Sequence, residues 1–243
     1  MLFRSFAYRD YRNYKEIFSK FSKLDKLKFI RHARKRIDLR FQGVIGVDKP
    51  DSKQSAFDKF LPQRLIRKSN KIKVLIASHC FFDSPHSYGK NLFCDFYEWI
   101  NYLGLISKRT DYDWYIKTHP DFIPQTLKII KEFTLKYNKI TLLPSNSSHH
   151  QIKKEGINFV LTIYGTVGTD YAALGIPVIN ASVNNPHINY NFNLHPKTIS
   201  EYQHILMNLK EVRLKINKNN VYEHYYMHNI FSNKSWIFEN YNN

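Results

Sequence analysis

The chain is short of cysteine, of acid and of long apolar runs, and each shortage excludes something. Cys80 and Cys94 are the only cysteines in 243 residues, and both are expected in core segments. A disulfide framework is therefore not expected, and a reducing, cytoplasmic setting is. No apolar run approaches the ~20 residues that a membrane-spanning helix needs. The start, Met1 to Arg12, is aromatic and basic and lacks the apolar stretch of a signal peptide. No internal repeat or low-complexity tract occurs. No Gly-x-Gly-x-x-Gly follows any expected strand, so a dinucleotide such as NAD has little support.

Acids number 20 against 37 Lys and Arg, a net charge of +17. Residues 1 to 70 hold nineteen of those cations against seven acids, so most of the excess sits there. Such a surplus fits phospholipid headgroups, nucleic acid or a phosphorylated substrate, or else a solvated basic face on ordinary helices. Residues 3 to 36 are expected to be helical, because Tyr11, Tyr14, Phe18, Phe21 and Leu24 recur every three or four positions among lysines and arginines. That basic amphipathic stretch suits an anionic membrane surface or packing on a neighbouring unit. Gly43, Gly46, Pro50 and Pro62 mark a connector up to about residue 70.

Beyond Asn70, short apolar runs alternate with helical patterns. Strands are expected near 73–78, 113–117, 139–143, 158–163 and 177–180. Helices are expected over 91–108, 124–137, 147–155, 166–174 and 200–209. The alternation predicts an α/β, Rossmann-like parallel sheet with helices on both faces. The division expected is a basic helical region and connector (1–70), a Rossmann-like domain (71–210) and a helical or irregular tail (211–243).

In such a sheet, ligands bind outside the carboxyl ends of the strands. The loops at those ends carry the unusual residues: Ser78 to Gly89, Lys117-Thr118-His119-Pro120, Pro144 to Ser148, and Tyr164-Gly165-Thr166-Val167-Gly168-Thr169-Asp170. The last opens a helix, whose unpaired N–H groups attract phosphate. Gly165 and Gly168 clear space for it and Thr166 and Thr169 add hydroxyls, unless Thr166 only caps the helix and the glycines only ease packing. Lys117 and His119 bring a cation and an imidazole to the same edge. Asp83 and His86 are candidates for a general base on a hydroxyl, although Asp83 with Ser84 and Pro85 also suits a plain turn. Asp111-Tyr-Asp113 precedes its strand and so falls at the wrong end of the sheet for a metal. His149 and His150 are neighbours on a short helix and face different ways, so no metal site is expected.

Lys117-Thr-His-Pro120, followed by Gly165-Thr-Val-Gly-Thr-Asp-Tyr-Ala-Ala-Leu-Gly-Ile-Pro-Val178, resembles the C-terminal, donor-binding domain of GT-B glycosyltransferases. The nearest members are bacterial capsule and lipopolysaccharide enzymes, including the Kdo transferases of capsule assembly. The resemblance covers about residues 70 to 210. It implies a nucleotide-sugar donor, CMP-linked in preference to UDP-linked, with no metal required. It places the donor phosphate on Lys117, His119, Thr166 and Thr169, with Gly168 and Asp170 in the same loop. A glycan or glycolipid would be the acceptor, at the inner face of the cytoplasmic membrane, and nucleic acid is not favoured. Many retaining members carry two glutamates eight positions apart. Here Asp170 and Val178 stand at those places, so an inverting reaction is expected. Transfer of a glycerol phosphate from a CDP-activated donor would need the same cradle, and a non-catalytic basic module is the other alternative. The seventy residues before Lys71 are too few for a full acceptor domain, so that half is expected from a longer protein or from elsewhere.

Overall fold

The computed structural model describes residues 13–48, 53–57, 59–82, 90–119 and 123–231. Five parallel strands, β1 (Lys73–Ala77), β2 (Asp113–Lys117), β3 (Ile140–Leu142), β4 (Phe159–Thr162) and β5 (Val178–Asn180), form one sheet in the order β3-β2-β1-β4-β5. Their apolar runs are read as strands buried on both faces, which is what a covered parallel sheet requires. The short edge strand β3 is the exception, with Thr141 exposed.

Successive side chains of each strand point to opposite faces, and the core divides accordingly. Val74, Ile76, Trp114, Ile116 and Leu161 pack against α3 (Phe96–Arg109), α4 (Pro124–Lys136) and α7 (Ile199–Met207). Leu75, Tyr115, Val160 and Val178 pack on the other face, against Ile152 of α5 (His149–Lys154) and against Tyr171 and Leu174 of α6 (Val167–Leu174). Trp99, fully buried in α3, donates its indole N–H to the Tyr202 hydroxyl of α7 at 3.1 Å, which ties the two helices together.

The basic N-terminal region is a packed layer. It holds α1 (Tyr14–Ser19) and α2 (Lys23–Phe41), which lie against α8 (Lys218–Tyr225) and a following π-helical turn (Tyr226–Ile230). Tyr14, Phe18, Ala33 and Ile37 are its buried residues. Ala172 and Ala173 of α6 join this outer cluster while Tyr171 and Leu174 face the sheet, so α6 is sandwiched. A helix apolar on every side must be covered on every side.

Two boundaries differ from expectation for local reasons. The N-terminal helix breaks at residues 20–22, because the Ser22 hydroxyl accepts from Asp25 N–H and starts a new helix. The aromatic spacing therefore does not continue across the break, and Leu24 is exposed. Helix α3 starts at Phe96, not Asn91, because Asp95 caps it and accepts from Glu98 N–H at 2.7 Å. Asn91 instead bridges to Ser182. Cys94, expected in the core, lies in the turn before that cap and is exposed, and Cys80 is half-buried. No described helix is long and apolar enough to cross a membrane.

Candidate functional site

The chain runs outward from β1 to β2 to β3, then returns to the far side of β1 to form β4. The loops after β1 and β4 thus diverge at their carboxyl ends and open the crevice where open parallel sheets take ligands. His79, just past β1, spans it. Its Nε2 lies 3.1 Å from the Thr162 hydroxyl at the end of β4, and its ring stacks on Phe96 at 4.6 Å. A cavity of about 410 Å³ opens there. The described residues lining it come from the ends of β1, β2 and β4, from the loop after α2, and from α5, α6 and the π-helical turn.

Lys117 is the distinctive group. It ends β2 in register with Ala77 and is only 3% exposed. Its ammonium donates to the carbonyl of Thr118 at 3.2 Å and has no carboxylate partner among the described residues. Burial lowers its pKa to about 8. A buried cation without a counter-charge is costly unless an anion joins it. Around it, the Thr118 hydroxyl and His149 Nδ1 are buried without a hydrogen-bond partner. His149, its ring tilted 4.8 Å from that of Tyr171, is held well below its usual pKa, first by burial and then by the Lys117 charge.

Of the residues expected to hold a donor phosphate, Lys117, His119, Thr166, Thr169 and Asp170 all line this one cavity. They do so differently. His119 is exposed, and so is Thr166 at the start of α6, where its side chain makes no capping bond. Thr169 is buried, its hydroxyl 3.3 Å from His224 Nδ1. Both carboxylate oxygens of Asp170 are held by Arg40. Gly168 is absent from the lining. A Cβ there would fall 2.4 Å from Cε1 of the buried His187, so its smallness serves packing. Asp83 and His86 lie outside the described residues. Asp111 and Asp113 pair with Lys71 and with the Ser69 hydroxyl at the amino end of β2, away from the cavity.

Several lining residues carried no local signal in the sequence. Arg40 bridges Asp170 and Asp48, and Tyr225 donates to Asp48 as well. His187 and His228 reach the cavity from a loop and from the π-helical turn, a rare conformation often found at functional positions. The cavity-lining acids among the described residues, Asp48 and Asp170, are both ion-paired. No cluster of three His, Cys, Asp or Glu side chains suited to a metal occurs among the described residues.

The sheet order and the crevice at β1 and β4 define a Rossmann-like α/β unit. Two solved structures share the fold. Thermosulfurimonas dismutans KpsC, a beta Kdo 2,7 transferase, superposes with a TM-score of 0.50 at 15% identity, covering 87% of this chain and 56% of that one. A second structure, Thermosulfurimonas dismutans KpsC, beta Kdo 2,4 transferase, superposes with a TM-score of 0.50 at 10% identity, covering 81% of this chain and 55% of that one. This chain therefore spans a little over half the length of either neighbour. No family model matches the sequence, and neither does any curated protein sequence.

Proposed function

We propose that this chain is the donor-side unit of a glycosyltransferase that acts in bacterial capsule or lipopolysaccharide biosynthesis, on the cytoplasmic side of the membrane. The observation that carries the reading is Lys117, a buried cation lacking a carboxylate partner among the described residues, in the crevice where the fold takes its ligands. A nucleotide phosphate supplies the missing anion. The similarity of fold to two Kdo transferases supports a CMP-linked sugar as donor.

In the inverting reaction we propose, the acceptor hydroxyl oxygen attacks the anomeric carbon as the bond from that carbon to the donor phosphate oxygen breaks. The electron pair leaves with the phosphate. Lys117, His119 and the Thr166 end of α6 meet its growing charge, the kind of fixed electrostatic help that dominates such steps. The hydroxyl proton passes to a general base, a role proposed for Asp83 or His86. The charge on Lys117 serves in place of a metal.

Ligand-induced thermal stabilisation tests the reading. Cytidine nucleotides should raise the melting temperature more than uridine nucleotides do, and a hundredfold excess over Kd should stabilise by about 2.7 kcal/mol. His119→Ala should weaken that binding by roughly 1.5–3 kcal/mol and barely change the free protein, because His119 is exposed. A protein blind to nucleotides up to ~10 mM, yet strongly destabilised by His119→Ala, would overturn the assignment.

A further inference from the structure

The outer side of α2 is a charged surface that the donor site does not use. Leu24, Lys28, Arg31 and Lys35 follow one another at helical spacing on one stripe, opposite the buried Ala33 and Ile37. The helix has 19 residues, eight of them Lys or Arg against two Asp. The ion pairs of those two acids are long, Asp25 to Lys28 and Asp38 to Arg34, each at 3.9 Å, and Asp25 also accepts from the Ser22 hydroxyl at 2.7 Å. Arg31 and Lys35 have no acidic partner among the described residues. At the amino end of this face, Leu24 is 63% exposed and Leu27 is 54% exposed. Large apolar side chains set among exposed cations suit neither bulk water nor a protein core.

We propose that this face of α2 docks on a bilayer rich in anionic headgroups. Leu24 and Leu27 enter the boundary between headgroups and acyl chains, while Lys28, Arg31 and Lys35 meet the lipid phosphates. Interfacial helices bind through this combination of apolar insertion and charge. The helix extends roughly 28 Å and leads into the loop after residue 41, whose exposed Val44 and Ile45 line the cavity mouth. The docking surface and the site are thus joined by one continuous segment. A bilayer is favoured over nucleic acid because exposed leucines have no use on a phosphate backbone.

The test is sedimentation of the whole chain with neutral phosphatidylcholine vesicles and with vesicles holding about 30% phosphatidylglycerol, in low and in high salt. Binding to the anionic vesicles alone is expected, and it should weaken as salt rises. Replacing Lys28→Glu, Arg31→Glu and Lys35→Glu together should weaken it roughly tenfold or more. Leu24→Ser with Leu27→Ser should weaken it several-fold at the same salt. All five side chains are exposed, so unchanged melting temperatures should show that both variants fold. Equal binding to both vesicle types, no binding, or parent-like binding by either variant overturns the proposal. So does a single-stranded RNA that binds more tightly than the vesicles. No nucleotide is present in the assay, so its failure leaves the donor-site reading standing.

Discussion

Arg40 and Asp170, 130 residues apart, form a two-point ion pair, with one terminal guanidinium nitrogen 3.0 and 2.8 Å from the two carboxylate oxygens. The other terminal nitrogen of Arg40 reaches Asp48 at 3.2 Å, and Arg36 and Tyr225 complete the network. The Asp170 charge foremost, together with Asp48, holds the Arg40 pKa above its ordinary value despite partial burial. The end of α2 is thereby fixed to the helix that opens the candidate site.

Arg40→Ala should accordingly cost about 3–5 kcal/mol, because the buried Asp170 carboxylate loses its two-point partner. Asp170→Asn should cost less, since Asp48 still engages Arg40. Urea unfolding of both variants checks this. A loss below about 1 kcal/mol for Arg40→Ala would mean that the pair behaves like an exposed salt bridge.

Gly168→Ala should destabilise by about 1–3 kcal/mol, the usual effect of overpacking. The added methyl would lie 2.4 Å from His187 Cε1 and 2.9 Å from its Nδ1, and that ring is fully buried. Nucleotide affinity should survive in the variant. Unchanged stability with lost affinity would instead show that Gly168 faces the ligand.

The sheet was legible in the sequence because each central strand is a short apolar run between polar loops. Runs such as Val74-Leu-Ile76 and Val160-Leu161 announce burial on both faces without long-range information. The site was partly legible for the same reason, since strand ends fix where the loops fall, and Lys117 and Thr166 follow from that rule. Arg40, His187, His228 and Tyr225 were not legible. They reach the cavity through contacts between distant segments, which leave no periodic trace in either segment. The phase of the N-terminal helices was lost at Ser22, where a single capping side chain outweighs a run of suitable spacing.

Acid should destabilise the fold above the carboxylate range. His149, His187 and His224 are held well below the usual histidine pKa, in each case chiefly by burial. His195 is lowered to about 4 by burial as well. Each stays neutral in the folded chain and takes a proton in the unfolded chain once pH falls below about 6.5. The unfolded state then binds more protons, so stability drops as pH falls from 6.5 towards the folded values. Unfolding near pH 5 should take up about three to four protons. The slope of urea-derived stability against pH measures that number, and a slope below one proton would contradict a neutral buried cluster.

Lys117 gives a pH signature of the opposite range and links stability to binding. Its pKa falls to about 8 in the folded chain, against about 10.4 when unfolded. Below pH 8 it is charged in both states, and stability does not depend on its titration. Between about 8 and 10.4 only the unfolded chain keeps the proton, so this group makes stability rise with pH. Lys117→Met should remove that rise and stabilise the free protein at pH 7 by roughly 2–3 kcal/mol, because a buried uncompensated charge is gone. The same substitution should abolish the nucleotide-induced shift. In the parent protein, a bound phosphate needs the ammonium form, so affinity should fall above pH 8 by up to about tenfold per unit. Calorimetric titration with a cytidine nucleotide from pH 7 to 9.5 reads this directly. An affinity flat across that range, or a Lys117→Met protein that binds as the parent does, would remove Lys117 from the site.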